Sequence, residues 1–408
     1  MNSDKRNLLI MWIANFLVSS SITMIMPFLS LYIDSFGDYS TEYVTKWAGL
    51  IFGVTFLTAF IFSPIWGRIG DKYGFKPVLL LTGFGISASL FLMGLMSSVY
   101  ELFFLRFFMG IVTGFIPLSL AMISKQTPKK KVGEVLGILQ TGGVTGTLFG
   151  PLIGGLLADA VGFQFTFIYT SITIFIASLF VIFGVKEKKV STEKKAKQKH
   201  YSSREVLSLI LHNKVLLSVM IISLLTQVAV MSIQPLLAVY VNILADTNNV
   251  ALLAGLTFSA TGFGNLIATR KWGKLGDRIG YEKVIMMLLI GGAIVFIPQA
   301  LVTSLWQLIL LRFLFGMAIG GIIPCMTAYI RQVAPVEIQG EVNGYNVSFR
   351  FLGNVLGPTL GGFVSGIIGI SSVFFVTSAI LFIAFVILIW SVKNEEREEE
   401  QQRLSTTH

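Results

Sequence analysis

Twelve blocks of roughly 20 mostly apolar residues leave this chain few ways to fold. They fall at about 8–33, 46–66, 78–97, 101–123, 133–158, 164–185, 214–241, 251–269, 284–303, 305–328, 341–366 and 371–392. Each is long enough to cross the ~30 Å hydrocarbon layer of a bilayer as a helix. Inside that layer every backbone polar group must be paired within the protein, so only helices and closed barrels span it. A barrel would show short alternating strands, and none are visible. Only 13% of residues are charged, about half the usual ~25%. The expectation is an all-α membrane protein of twelve transmembrane helices.

A lysine-rich connector at 186–213 (Lys186, Lys188, Lys189, Lys194, Lys195, Lys197, Lys199) separates a six-helix bundle over 1–185 from a second over 214–394. An acidic tail, Glu395 to Glu400 within 395–408, reads as a solvated end. With the amino terminus inside, 27 of the 31 lysines and arginines fall at the cytoplasmic ends and even-numbered connections. Lys46 is outside, and Arg106, Arg312 and Arg350 lie within spans. This is the positive-inside bias, and it places both termini in the cytoplasm of a cell-membrane protein. It also accounts for the net charge of +10 without nucleic-acid binding.

The two halves repeat. WGRIGDKYGFK at 66–76 matches WGKLGDRIGYEK at 272–283, and LRFFMGIVTG at 105–114 matches LRFLFGMAIG at 311–320. PFLSLYI at 27–33 matches PLLAVYV at 235–241. One glycine pattern occurs twice: Gly137, Gly146, Gly150, Pro151, Gly154, Gly155, and again Gly344, Gly353, Gly357, Pro358, Gly361, Gly362. The offsets are all 206 to 208, which implies two parallel six-helix pseudo-repeats. Glycine is a poor helix former in water. In a membrane a row of small residues lets helix backbones touch. Each copy therefore predicts a close-packed helix that its proline can bend.

Together these features resemble the major facilitator superfamily, and within it the twelve-span bacterial drug–proton antiporters of the Gram-positive multidrug and fluoroquinolone type. The loop motif is present as Gly67, Asp71, Lys72 and Gly74 and again as Gly273, Asp277, Arg278 and Gly280. Arg106 with Gly110 and Gly114 is similar to the family's proton-linked motif, and the glycine–proline pattern to its exporter motif. The resemblance implies the major facilitator fold, a latch from Asp71 to a neighbouring helix end, and proton antiport with alternating access. The implied cargo is amphipathic drugs, with antibiotic resistance as the consequence; the alternative is a metabolite such as a sugar or glycolipid. Phe75, Tyr281 and Glu282 depart from the basic residues often found in the loop motif, and spans seven to twelve carry no carboxylate apart from Glu341 at an entrance.

The candidates for proton coupling are Asp34, which closes span one, Glu101, one turn from Arg106, Arg106 itself, and Arg350 in mid-span eleven. A charge at membrane depth costs ~2.5–3.5 kcal/mol on insertion scales, so it needs a partner or water. Arg350 replaces Gly143 of the first half and could repel cationic drugs or hold an anionic group. Met26, Tyr32, Gln140, Gln234, Tyr240, Asn265, Asn346 and Arg350 are the candidate lining of a substrate cavity. Glu134 and Glu341, at the starts of spans five and eleven, fit acids favoured by a helix dipole. Three scattered histidines and one cysteine, Cys325, offer no metal site. No Gly-x-x-x-x-Gly-Lys loop points to nucleotide use. The expectation is a monomeric transporter rather than an enzyme. Its partners are lipid and small amphipathic drugs, and it has no cofactor beyond the coupling proton.

Overall fold

The computed structural model describes residues 3–128, 131–187, 203–245, 247, 249–335 and 338–406. The lysines at 188–199, Lys129, Lys130, His200 and His408 of the sequence reading lie outside these residues, as do the side chains of Glu395 to Glu400. Among the described residues all regular structure is helical. The helices are α1 (Ser3–Met24), α2 (Leu29–Asp34), α3 (Thr41–Tyr73), α4 (Phe75–Met93), α5 (Val99–Val112), α6 (Phe115–Gln126), α7 (Val132–Val161), α8 (Phe163–Gly184) and α9 (Ser203–His212). They continue with α10 (Lys214–Ser232), α11 (Leu237–Leu244), α12 (Val250–Ile279), α13 (Tyr281–Gln299), α14 (Leu305–Ile319), α15 (Ile322–Val333), α16 (Gln339–Ile368) and α17 (Ile370–Thr406). Twelve helical spans are long and apolar enough to cross a bilayer, one in each of the twelve blocks.

Four spans are not continuous. The reading of 8–33 as one helix is corrected: α1 stops at Met24 and α2 starts at Leu29, with Pro27 in the gap. Span seven breaks identically between α10 and α11 around Pro235. Proline lacks an N–H and disfavours helical backbone in the residue before it. Spans four and ten break at Thr113–Gly114 and Gly320–Gly321, and Pro117 and Pro324 sit in the first turns of α6 and α15. A first-turn proline loses no hydrogen bond, because those N–H groups have no intrahelical partner.

The opposite economy joins the other spans. A single glycine connects α3 to α4, α7 to α8, α12 to α13 and α16 to α17: Gly74, Gly162, Gly280 and Gly369, with φ of 100°, 87°, 98° and 97°. That left-handed backbone is open to glycine and strained for other residues.

Backbone proximity sorts the chain into two compact units. The first comprises Met1–Glu193, Gln234–Ser259 and Pro358–Ile367; the second comprises Lys194–Ile233, Ala260–Gly357 and Ile368–His408. In the first, Phe28 stacks on Phe163 at 5.5 Å and meets Phe167 edge-on at 5.8 Å. In the second, Phe296 meets Phe315 edge-on at 4.3 Å. Phe28, Phe167, Phe296 and Phe315 are buried, and such ring pairs add to the packing.

Candidate functional site

The glycine helix α7 lies against α1 through a stripe four residues apart. A Cβ on Gly142 would sit 2.6 Å from the Trp12 carbonyl oxygen, on Gly146 2.5 Å from that of Phe16, and on Gly150 2.6 Å from that of Ser20. On Gly154 it would overlap the Met24 carbonyl. Gly155 faces another helix, where a Cβ would overlap the Ala251 carbonyl of α12. In the second unit, Gly353 meets Gln227 and Gly357 meets Met231, each with a Cβ at 2.7 Å. Gly362 faces α3, with the Thr45 carbonyl 2.7 Å from where its Cβ would be. Gly137 and Gly344, the opening glycines of each copy, have nothing within 4 Å and take no part in the packing. Both proline helices run on through Pro151 and Pro358.

The breaks in spans four and ten leave carbonyls without partners, and the loop motif supplies them. In an unbroken helix the Ile111 oxygen would accept the N–H of Phe115, and the Met317 oxygen that of Gly321. Instead Trp66 Nε1 donates to Ile111 O at 2.6 Å and Trp272 Nε1 to Met317 O at 2.7 Å. Each tryptophan stands just before the first glycine of its loop motif. Their matched positions were visible in the repeat; their bonds were not.

Arg106 and Arg312 stand two turns before these breaks, 6% and 1% exposed. Arg106 lies 6.0 Å from the Phe52 ring and Arg312 5.7 Å from that of Phe315. The Nε of each lacks a hydrogen-bond partner among the described residues. Glu101 does not pair with Arg106. It is exposed, and a separation of five residues turns it about 140° around the helix from the buried arginine.

At the first loop motif the side chain of Asp71 pairs with Lys125, in the last turn of α6, at 3.2 Å. Both partners are exposed, so the pair contributes at most about 1 kcal/mol. A stronger joint lies beside it. The Glu187 carboxylate accepts the N–H groups of Phe75 (2.7 Å) and Lys76 (2.9 Å), capping α4. Lys76 Nζ in turn donates to the carbonyls of Ile182 and Val185 at 2.8 Å each, capping α8. A lone acid in a lysine run gave little hint of this. Glu187→Ala is expected to lower stability by about 1–2 kcal/mol, as for a lost helix cap. Melting of the purified protein checks it, and Glu187→Gln should recover part of the loss. The second loop motif is satisfied within itself, since Tyr281 Oη donates to Asp277.

Asp159, an acid at the end of α7, caps α12: its carboxylate accepts the N–H groups of Ala251 (3.2 Å) and Leu252 (2.7 Å). An acid at a helix carboxyl end opposes that helix's dipole, a signal the sequence carried unread. Asp159→Ala is expected to speed hydrogen exchange at Ala251 and Leu252 by about fivefold, in line with the ~1 kcal/mol usual for a cap. Exchange mass spectrometry of that segment measures it.

In the second unit α16 presents a polar row to α10. Ser223 Oγ donates to Asn346 Oδ1, and Gln227 Nε2 to Asn354 Oδ1 at 2.6 Å. Arg350 stands one turn from each asparagine, partly buried, its Nε without a partner among the described residues. The other candidates scatter. Tyr32 is 1% exposed, and its hydroxyl donates to Met93 O at 2.8 Å and Met96 O at 3.1 Å. Tyr240 is likewise buried. Gln140 and Asn265 are exposed; Met26 and Gln234 are partly buried. Asp34 is exposed at the end of α2. Cys325 is buried, and no group of metal-ligating side chains occurs among the described residues.

Comparison with known proteins agrees with this architecture. The family profile described as Major Facilitator Superfamily matches residues 11–271 and 244–407. The uncharacterized MFS-type transporter YuxJ of Bacillus subtilis (strain 168) is 56% identical over 388 residues, covering 95% of this chain and 98% of its own. Multidrug resistance protein MdtG of Enterobacter lignolyticus (strain SCF1) is 40% identical over 378 residues, 92% of this chain and 90% of its own. Among solved structures, the nucleoside transporter NupG superposes with TM-score 0.78 at 13% identity, over 96% of this chain and 100% of its own. A bacterial homolog of the human lysosomal transporter Spinster superposes with TM-score 0.79 at 14% identity, over 96% and 97%. Identities this low speak to fold alone.

Proposed function

The chain belongs to the Major Facilitator Superfamily and is a multi-pass membrane transporter; from that premise we propose that it exports amphipathic drugs from the cell in exchange for protons. The observation that carries this reading is the glycine–proline helix α7, seated backbone-to-backbone on α1 through Gly142, Gly146, Gly150 and Gly154. Relatives at about 40% identity named as multidrug resistance proteins support the cargo class. In this account the lysine-rich side is cytoplasmic, both termini lie there, the membrane is the cell membrane, and one copy suffices. Asp71 and Lys125 tie the loop motif to the end of span four, and Arg106 responds to the proton. Alternating access exposes the cargo site to each side in turn, and proton binding shifts the balance by its differential affinity for the two states. The test is efflux from intact drug-sensitive bacteria expressing the chain, loaded with fluorescent amphiphiles. Faster energy-dependent loss than from cells with an empty vector is the expected result. Loss no faster than from empty-vector cells, for an anionic, a zwitterionic and a cationic dye alike, would sink the assignment.

A further inference from the structure

Apart from Glu341 at the entrance of span eleven, the stretches 214–241, 251–269, 284–303, 305–328, 341–366 and 371–392 hold two arginines and no aspartate or glutamate. Arg312 is closed into the core beside Phe315. Arg350 is different, because part of it remains accessible. The fold does not require a cation there. At the matching position of the first half stands Gly143, where a Cβ would meet only Ser19 Oγ at 3.4 Å. A side chain that breaks the internal symmetry, at membrane depth and without an acid to neutralise it, is retained for what it binds.

Its neighbours specify the ligand's sign. The carbonyl oxygens of Asn346 and Asn354 are already taken by Ser223 and Gln227 of α10. Each amide still holds two N–H donors beside its one remaining acceptor lone pair, and a guanidinium offers donors alone. Asn346, Arg350 and Asn354 therefore form a row of hydrogen-bond donors, one helical turn apart. Resting on the transport reading and narrowing its cargo, we propose that this row is the recognition site for an anionic group on the substrate, of carboxylate, sulfonate or phosphate type. The site selects anionic or zwitterionic amphiphiles and repels plain cations. A forked guanidinium suits such groups, and a charge-assisted bond is about twice as strong as a neutral one.

The test is binding to the purified full chain of two dyes on the same xanthene frame, an anionic carboxyfluorescein and a cationic rhodamine 6G. The wild type should bind the anion more tightly. Arg350→Gln should weaken anion binding about tenfold or more, the usual effect of losing a bond to a charged group, without weakening the cation. Arg350→Lys should retain part of the affinity. Preference of the wild type for the cation, or undiminished anion binding by Arg350→Gln, overturns the proposal. If Arg350→Gln does not fold, the wild-type preference and Arg350→Lys decide it. Titration in nanodiscs of neutral and of anionic lipid separates a soluble anion from a headgroup. Displacement of the dye by anionic lipid, with no competition from soluble carboxylates, overturns it too. Because binding is read without transport, charge-selective binding with no efflux refutes export and leaves this site standing.

Discussion

Gly154→Leu is expected to abolish recovery of the folded protein, whereas Gly137→Leu leaves it intact. Both glycines belong to one motif. At Gly154 a new side chain would meet the Met24 carbonyl, and backbone cannot step aside as a side-chain end can. The neighbouring glycines Gly142, Gly146 and Gly150 hold α7 and α1 at the same separation, so the clash cannot be relieved by local tilting. Overpacking a tight core costs about 1–3 kcal/mol where side chains can shift, and more where they cannot. At Gly137 nothing lies within 4 Å, and leucine is the better helix former. Size-exclusion profiles of the two variants, made side by side, measure the contrast. A monodisperse Gly154→Leu peak with wild-type melting would refute the packing.

The second large effect is expected at the tryptophan pins. Trp66→Phe and Trp272→Phe each keep an aromatic ring and remove the N–H that satisfies a freed carbonyl. An abandoned buried acceptor costs about 1–3 kcal/mol. The two pins lie in different units and share no partner, so their losses should add in the double variant. Melting of wild type, both single variants and the double variant gives the cycle. Losses that vanish in either single variant would mean that water replaces the indole, and the break needs no pin.

Much of this fold was legible because the membrane imposes it. Twelve apolar blocks, the lysine bias and the internal repeat follow from hydrocarbon thickness and charge, which residue identity reports directly. The positions of breaks were less legible. Pro27 and Pro235 announced a disturbance, yet an unbroken helix with a kink reads the same in one dimension. Gly162 and Gly369 passed unnoticed because a glycine between apolar neighbours gives no sign of positive φ. The site was harder still. Glu187, Asp159 and Lys125 act through partners 111, 92 and 54 residues away, and sequence spacing cannot supply those pairs. Glu101 and Arg106 failed for a simpler reason: adjacency along the chain is not adjacency around a helix. The row Asn346, Arg350, Asn354 was readable by its spacing of four, but the bonds that turn it into a row of donors needed α10 beside it.

The central claim is that export is driven by protons moving the other way. Inverted membrane vesicles containing the chain, acidified inside, test it most directly with a fluorescent anionic amphiphile outside. Uptake should rise with the imposed pH difference and stop when an ionophore collapses it, while the lumen alkalinises as dye enters. Uptake that proceeds unchanged after the pH difference is gone would contradict the account.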